Sequence, residues 1–228
     1  LIAAAAEARG LTPGLPQALP VDVTLSDGTR VVGSVDRRLG SPTPGPAFVT
    51  FSSWKPVHRL QAWLDLVALT ATEPSTPWRS LAVSRNSGWK AAEHADRDTD
   101  VKAYKVCDLE AKGASDATHG LEVVVDCYRR GLVEPLPLFP AVSYEVFDTG
   151  SPRSNSWNSP ATSPVPGDGD DEAASLAYPM GVDELLALPA RPDDPVGDQQ
   201  GRVARYAEVL WRTVLETALD RDVEEEPA

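Results

Sequence analysis

Apolar and polar residues alternate on both sides of the dipeptide Asp27-Gly28, over residues 21–25 and 30–35. Alternation of this kind predicts half-buried strands, and Asp-Gly is typical of a tight hairpin turn. A third apolar run at residues 48–51 is rich in aromatic and β-branched residues, which favour strands. The first part of the chain therefore predicts a hairpin followed by a third strand.

Apolar residues spaced three and four apart predict helices elsewhere. The helix at residues 57–71 is apolar around more than half of its circumference, so we expect other elements to cover it on several sides. Gly131 is expected at the end of the next long helix. The other predicted elements are helices at 2–9, 116–132, 182–188 and 200–219, strands at 81–83 and 101–106, a proline-bearing linker at 11–20 and a polar loop at 86–100.

A proline-rich apolar segment covers residues 134–140, with the sequence EPLPLFP. Its prolines disfavour both a regular helix and a central strand, so a strand ladder cannot bury Leu136, Leu138 and Phe139. These side chains either cover the core of their own domain or dock on a partner protein. The sequence leaves both alternatives open.

The length of 228 residues and the 42% hydrophobic content predict one domain over residues 1–228. Residues 150–178 are rich in Ser, Pro, Gly and Asp and are expected to form a flexible loop, and residues 220–228 an acidic, solvated tail. No apolar run is long enough to cross a bilayer, and no signal peptide is visible. Leu1 in place of Met suggests a fragment of a longer polypeptide, which we expect to be soluble and cytoplasmic, without membrane contact.

The formal net charge of −13 opposes unspecific binding to a phosphate backbone. Cys107 and Cys127 are too few for a disulfide framework or a zinc site, and His94 and His119 lack partners at metal-ligand spacing. No glycine-rich phosphate loop followed by Lys-Ser/Thr is present. We therefore expect no metal, no ATP chemistry and no other cofactor.

The order strand, strand, helix carries the candidate chemistry. Gly33 and Asp36 form a G-x-x-D pattern in the second strand, and Thr50 and Ser52 lie two residues apart in the third. This order resembles the catalytic core of the PD-(D/E)XK nucleases, where the G-x-x-D strand is followed by a strand carrying D-x-K and by a helix whose Gln and Tyr face the site. The resemblance implies an α/β (α+β) fold, with a central mixed sheet flanked by helices.

The metal-binding pattern is degenerate. Thr50 stands where the resemblance requires the second carboxylate, Ser52 where it requires the lysine, and Arg59 and Trp63 stand at roughly the positions of the Gln and Tyr. Magnesium prefers anionic oxygen ligands, and phosphodiester cleavage needs the metal to generate and orient a nucleophilic water. We therefore expect no catalytic activity. Asp36 is expected to have a structural role, either at the end of a strand or in a pair with a neighbouring arginine such as Arg38.

Several longer blocks are more specific than these single positions. In order, they are VTFSSWKPVHRLQAWLDLVALTA, PWRSLAVSR, LEVVVDCYRRGLVEPLPLFP and VARYAEVLW. They resemble the C-terminal domain of the RecC subunit of bacterial exodeoxyribonuclease V. The resemblance implies a non-catalytic, nuclease-like structural and docking domain in a helicase-nuclease that acts in recombinational repair of double-strand breaks. It also implies RecB-like and RecD-like subunits as partners, with DNA bound through the assembled complex.

Two other functions remain open. One is an active metal nuclease with migrated ligands, for which Asp36, Asp65 and Lys55 are the candidates. The other is a single-strand DNA binding module that stacks bases on aromatic side chains, although the basic groove usual for such modules is missing. The candidate stacking residues are Trp54, Trp63 and Trp78.

Overall fold

The computed structural model describes residues 2–86, 104–160 and 166–220. It contains helices α1 (Ile2–Ala8), α2 (Pro56–Thr72), α3 (Ala114–Val133), α4 (Pro140–Thr149), α5 (Ser154–Trp157), α6 (Glu172–Ala177), α7 (Val182–Leu186) and α8 (Arg202–Thr217), and a 3₁₀ turn at Asp168–Asp170. The strands are β1 (Pro13–Thr24), β2 (Arg30–Leu39), β3 (Gly45–Ser53), β4 (Arg79–Arg85), β5 (Tyr104–Ala111) and β6 (Ala218–Asp220). These elements form two compact units, residues 1–122 with 215–228, and residues 123–214.

The first unit holds one six-stranded sheet in the order β1-β2-β3-β4-β5-β6. Only β3 and β4 run parallel, and α2 connects them, whereas the other neighbours are antiparallel. The sheet is therefore mixed and flanked by helices, as the sequence predicts. The predicted hairpin is confirmed, and Gly28 closes it with φ of 84°, a left-handed conformation that glycine adopts without steric cost.

Both faces of β4 are covered. Leu81 and Val83 pack with Ala5 and Ala6 of α1 in one apolar cluster. Because side chains alternate along a strand, Ser80 and Ser84 point to the opposite face, which α2 covers. The central strand is thus buried on both sides, and α2 lies directly against the sheet.

The structure corrects two predicted boundaries. The stretch predicted as a linker at 11–20 is largely strand: β1 begins at Pro13. Proline lacks the N–H that a central strand must donate, but β1 lies at the edge of the sheet, where one side of its backbone has no strand to bond. Gly131 does not end its helix either, since α3 continues to Val133.

The remaining sequence predictions for residues 1–133 fall into two groups. The predicted helices at 2–9, 57–71 and 116–132 and the strand at 81–83 are confirmed within a few residues. Most of the predicted loop at 86–100, including His94, and the start of the strand predicted at 101–106 lie outside the described residues.

The second unit has its own apolar core, which contains Val142, Trp157, Tyr178, Leu185 and Val203. The predicted helices at 182–188 and 200–219 are confirmed as α7 and α8, except that the second helix ends at Thr217 and residues 218–219 belong to strand β6. The stretch predicted as a loop contains α5, the 3₁₀ turn and α6, and it places Trp157 at 1% exposure in this core. The flexibility of that stretch, the acidic tail and the single-domain organisation stay predictions.

A buried ion network holds the second unit together. Arg202 is 2% exposed and donates from Nε to Asp194 Oδ1 at 2.9 Å, while its Nη2 pairs with Glu134. Glu134 also pairs with Arg191. A buried cation is stable only when its charge and its N–H groups are paired. Glu134 and Asp194 pair with Arg202, and these ion pairs connect both residues to the start of α8.

No helix in the described parts of the chain is long and apolar enough to cross a membrane.

Candidate functional site

Asp36 is a surface residue of β2. Its side chain is 67% exposed, and its Oδ2 lies 3.8 Å from Arg38 Nη2, which is one of the two predicted roles. Asp36 does not end the strand, since β2 continues to Leu39. An exposed pair of this kind contributes only about 0–1 kcal/mol. A Cβ added to Gly33 would meet no atom within 4 Å. Packing therefore does not require the glycine of the G-x-x-D pattern.

Thr50 and Ser52 lie at the end of β3 and are linked to His58 on the first turn of α2. Thr50 Oγ1 and Ser52 Oγ are 2.9 Å apart, and Ser52 Oγ lies 3.2 Å from His58 Nε2. The register between β3 and β4 shifts between Thr50 and Ser53, so the strand bulges at this point. The half-buried hydroxyls and the imidazole thus form one hydrogen-bonded chain.

The hydrogen bonds of His58 fix its tautomer. The backbone N–H of Lys55 donates to His58 Nδ1 at 3.1 Å, so Nδ1 is an acceptor and the ring proton of the neutral imidazole lies on Nε2. Nε2 therefore donates to Ser52 Oγ and cannot remove its proton. Burial, and then the positive charge of Lys55, lower the pKa of His58, which keeps the ring neutral. This arrangement does not activate Ser52 as a nucleophile.

The chain of Thr50, Ser52 and His58 also fits magnesium poorly. Its groups are two hydroxyls and a neutral imidazole, whereas Mg²⁺ prefers anionic oxygen ligands. Sequence reasoning placed Thr50 and Ser52 at this site but missed His58. The available signal was the position of His58 near the start of a predicted helix, six residues after Ser52.

A second carboxylate lies near Asp36. Burial, and then the negative charge of Asp36, raise the pKa of Asp65 on α2 from 3.8 to about 6. Asp36 and Asp65, two of the three candidates for migrated metal ligands, thus interact electrostatically. Among residues 2–86, 104–160 and 166–220, however, no group of three His, Cys, Asp or Glu side chains could hold a metal ion.

The two helix positions that correspond to the nuclease Gln and Tyr are used for internal contacts. Arg59 Nη2 lies 2.8 Å from Asp220 Oδ2, and each side chain is 14% exposed. Trp63 is 1% exposed and donates from Nε1 to Thr217 Oγ1 at 2.8 Å. Both side chains thus bind residues at the start and end of the segment 217–220, which includes β6.

Burial removes two of the three candidate stacking residues for single-stranded DNA. Trp63 and Trp78 are 1% and 4% exposed, and the Trp78 indole donates to the Glu73 carbonyl at 3.0 Å. Only Trp54 is half-exposed, and its ring centroid lies 5.7 Å from that of His58. The prediction of a three-tryptophan stacking surface is therefore wrong.

The proline-rich segment 134–140 makes contacts within the second unit. Phe139 meets the rings of Trp157 and Tyr178 edge-on, at centroid distances of 4.7 and 5.6 Å. The Tyr178 hydroxyl donates to the Pro135 carbonyl at 2.6 Å. Leu136 and Leu138 are half-buried. Phe139 thus covers the core of its own unit, while docking through this segment stays a prediction.

Comparisons with known proteins match most of the chain. The family model of the RecC C-terminal domain matches residues 1–151. The RecBCD enzyme subunit RecC of Mycobacterium tuberculosis strain H37Rv is 31% identical over 219 residues. That of Mycolicibacterium smegmatis is 29% identical over 220 residues. Each alignment covers 92% of this chain, and the chain spans about 18% of the length of these curated relatives.

Proposed function

The chain belongs to the RecC family, as a C-terminal domain, and on that premise we propose that it is a nuclease-like domain without nuclease activity that docks partner subunits. Its expected assembly is a RecBCD-type helicase-nuclease. The observation that carries the proposal is the neutral, hydrogen-bonded chain of Thr50, Ser52 and His58 at the positions where a nuclease needs a carboxylate and a lysine.

The chemistry of this chain supports the absence of catalysis. A metal-dependent nuclease needs anionic ligands that hold the ion, and a group that helps orient the attacking water. Here His58 donates to Ser52, and Ser52 lies within hydrogen-bond distance of Thr50. The polar atoms at these positions are thus engaged with one another.

The order of elements supports the proposal of a PD-(D/E)XK-like core. The chain runs α1, β1, β2, β3, α2, β4, with the G-x-x-D pattern on β2 and the degenerate D-x-K pattern on β3. Helix α2 follows directly and contacts β3 and β4. This is the sequence of elements on which the nuclease resemblance rests.

The contacts of α2 support a structural role. In an active nuclease of this type the Gln and Tyr of the helix face the site, whereas Arg59 and Trp63 bind Asp220 and Thr217. Two side chains at catalytic positions therefore contribute to the packing of the first unit. The use of these two positions for internal contacts supports a domain that serves as a structural and docking unit rather than as a nuclease.

We further propose that the chain acts in the cytoplasm as part of an exodeoxyribonuclease V subunit, in recombinational repair of double-strand breaks. RecB-like and RecD-like subunits are the proposed partners, and DNA is bound through the assembled complex. The net charge of −13 supports protein partners rather than unspecific contact with bare DNA. The half-buried Leu136 and Leu138 are the proposed docking residues.

One observation favours the alternative of an active nuclease with migrated ligands. The negative charge of Asp36 raises the pKa of Asp65, so these two carboxylates interact electrostatically. Magnesium is often held by one or two carboxylates together with substrate phosphates. The alternative therefore keeps a specific pair of candidate ligands.

A cleavage assay distinguishes the two functions. We expect the chain to leave linear double-stranded and single-stranded DNA uncut in Mg²⁺ or Mn²⁺. Cleavage that is lost in both Asp36→Ala and Asp65→Ala, and kept in the exposed control Asp148→Ala, would instead establish the migrated site. Co-purification with RecB-like and RecD-like subunits tests the docking role separately.

A further inference from the structure

Strand β2 is paired on one side along most of its length, but on the other side only near its C-terminal end. Its register with β1 is continuous over residues 30–37. Toward β3, pairing is confined to Arg37 and Leu39. In the described part of the chain, residues 30–35 therefore have a strand partner on the β1 side alone, and we call their other side the open edge of β2.

The hairpin turn determines which backbone groups point toward the open edge. Leu25 N–H donates to the Thr29 carbonyl at 2.8 Å. Along an antiparallel ladder, hydrogen-bonded pairs alternate with pairs that are not hydrogen-bonded. Val31 lies two residues beyond Thr29 in the same register, so it also bonds to β1. The N–H and C=O groups of Val32 and Ser34 consequently point away from β1, toward the open edge.

Solvent reaches the open edge. Val32 is 64% exposed, and Gly33 and Ser34 are exposed as well. A Cβ on Gly33 would meet no atom within 4 Å, so there is room over this residue. β2 contains no proline, which would block an added strand. The open edge thus offers accessible backbone donors and acceptors to another chain.

Asp36 adds a negative charge at the end of the open edge. Its side chain is 67% exposed, and the 3.8 Å between its Oδ2 and Arg38 Nη2 is longer than a hydrogen bond. Such an exposed pair contributes little, so the carboxylate can still attract another cation. At the other end of the edge, Arg30 is already hydrogen-bonded through Nε and Nη2 to Asp22. The open edge therefore favours a positive charge opposite Asp36.

We propose that the open edge of β2 binds an extended segment of a partner protein by antiparallel strand addition, and that this segment carries a basic residue three positions before an aromatic one. Its backbone would bond to Val32 and Ser34. The aromatic side chain would lie over Gly33, since an aromatic residue opposite a glycine covers the exposed backbone. The basic side chain would pair across the strands with Asp36. Antiparallel addition is chosen because it is the more stable pairing and continues the ladder of the hairpin.

A second copy of this chain fits the open edge less well. Antiparallel pairing of two open edges about Gly33 would place glycine opposite glycine, with no aromatic side chain over either. Arg30 of the second copy, which would face Asp36, is already paired with Asp22. Each copy also carries a net charge of −13, which opposes their association. The open edge belongs to the first unit, so the inference does not rest on docking through residues 134–140 of the second.

Hydrogen exchange tests the open edge without any partner. In the 228-residue chain, the Val32 and Ser34 amides should exchange about tenfold faster, or more, than the Val31 and Val35 amides, which bond to β1. Similar protection of all four amides would overturn the inference, because the edge would then be covered already.

The peptide acetyl-TKVTFTV-amide is the probe for binding, since its lysine and phenylalanine have the proposed spacing. In an NMR titration we expect saturable shifts, and slowed exchange of the Val32 and Ser34 amides. The same peptide with glutamate in place of lysine should bind about threefold more weakly. Asp36→Lys should reverse this preference, and it leaves the backbone of β2 unchanged.

Two proline variants test the role of the backbone. Val32→Pro removes an N–H that points to the open edge and keeps the ladder with β1, so it should abolish peptide binding. Thr24→Pro, whose N–H points away from β2, is the matched control and should bind the peptide as the wild type does. Unchanged binding by Val32→Pro would overturn the inference, as would an unchanged preference for lysine in Asp36→Lys. Dimerisation of the chain through β2 in sedimentation would also overturn it, since a second copy would then occupy the edge.

Discussion

Trp63 of α2 donates its indole N–H to the hydroxyl of Thr217, 154 residues later in the chain, at 2.8 Å. One helical turn earlier, Arg59 forms an ion pair with Asp220. Residues 217–220 therefore close the first unit by binding the helix that follows the degenerate D-x-K strand. The stability of this unit depends on a segment distant in sequence.

The Trp63–Thr217 hydrogen bond gives the first prediction. Thr217→Val keeps the side-chain shape but leaves the buried indole N–H without this acceptor, and should reduce the free energy of unfolding by about 1–3 kcal/mol. Thr118→Val is the matched control, because that hydroxyl donates only to the Ala114 carbonyl one turn earlier. Equal losses in urea unfolding of the two variants would count against a specific role for the pair.

The raised pKa of Asp65 predicts an unusual pH dependence. The folded state holds the proton up to about pH 6, whereas the unfolded chain loses it near 3.8. The ionised carboxylate therefore destabilises the fold above pH 6, and this effect disappears as the pH falls to 4. Asp65→Asn should stabilise the protein at pH 8 by about 1 kcal/mol, allowing for solvent screening, with little effect at pH 4. Urea unfolding of Asp65→Asn at pH 4 and pH 8 measures this stabilisation.

The raised pKa of Asp65 also gives a test of the role of Asp36. Because its charge is the second cause of the shift, Asp36→Asn should lower the pKa of Asp65 toward its ordinary value. NMR titration of the Asp65 carboxyl would measure this directly. A stabilisation by Asp65→Asn that is constant between pH 4 and 8 would show that ionisation of Asp65 does not matter.

Gly45 gives a steric prediction. A Cβ at this position would lie 1.6 Å from the Arg79 carbonyl oxygen, so the start of β3 and the start of β4 could not keep their spacing. Gly45→Ala should cost about 3 kcal/mol or more. Gly33→Ala, on the neighbouring strand, meets no atom and should change the melting temperature little. Similar melting temperatures for both variants would contradict this close contact.

The docking segment can be tested without disturbing the core of the second unit. Leu136→Ser with Leu138→Ser changes two half-buried side chains and should abolish co-purification with a RecD-like subunit at an unchanged melting temperature. Leu176→Ser, at an exposed leucine of α6, is the control. A lowered melting temperature in the double variant would mean that both leucines cover their own unit.

Much of the first unit could be predicted because its signals are local. Asp27-Gly28 between alternating residues predicted the hairpin, and the spacing of Leu66 and Leu69 predicted the covered helix α2. These patterns depend on residues a few positions apart, which is the range over which backbone geometry sets periodicity. The absence of a carboxylate at Thr50 was likewise visible without a structure.

The contacts that the sequence did not predict join residues distant in sequence. Nothing near Arg202 indicates that Glu134 is its partner, and the polar surroundings of Trp157 suggested a loop rather than a core residue. Gly169 shows why such a stretch can pack. A Cβ there would lie 2.6 Å from the Trp157 indole, so the glycine lets the backbone approach the ring closely.

The prolines of β1 limit how other proteins can bind the first unit. β1 forms one edge of the sheet, and Pro13, Pro16 and Pro20 have no N–H to offer an incoming strand. The opposite edge, β6, is only three residues long. The β1 edge is therefore a poor template for strand addition, which should protect it against edge-to-edge aggregation and fibril growth.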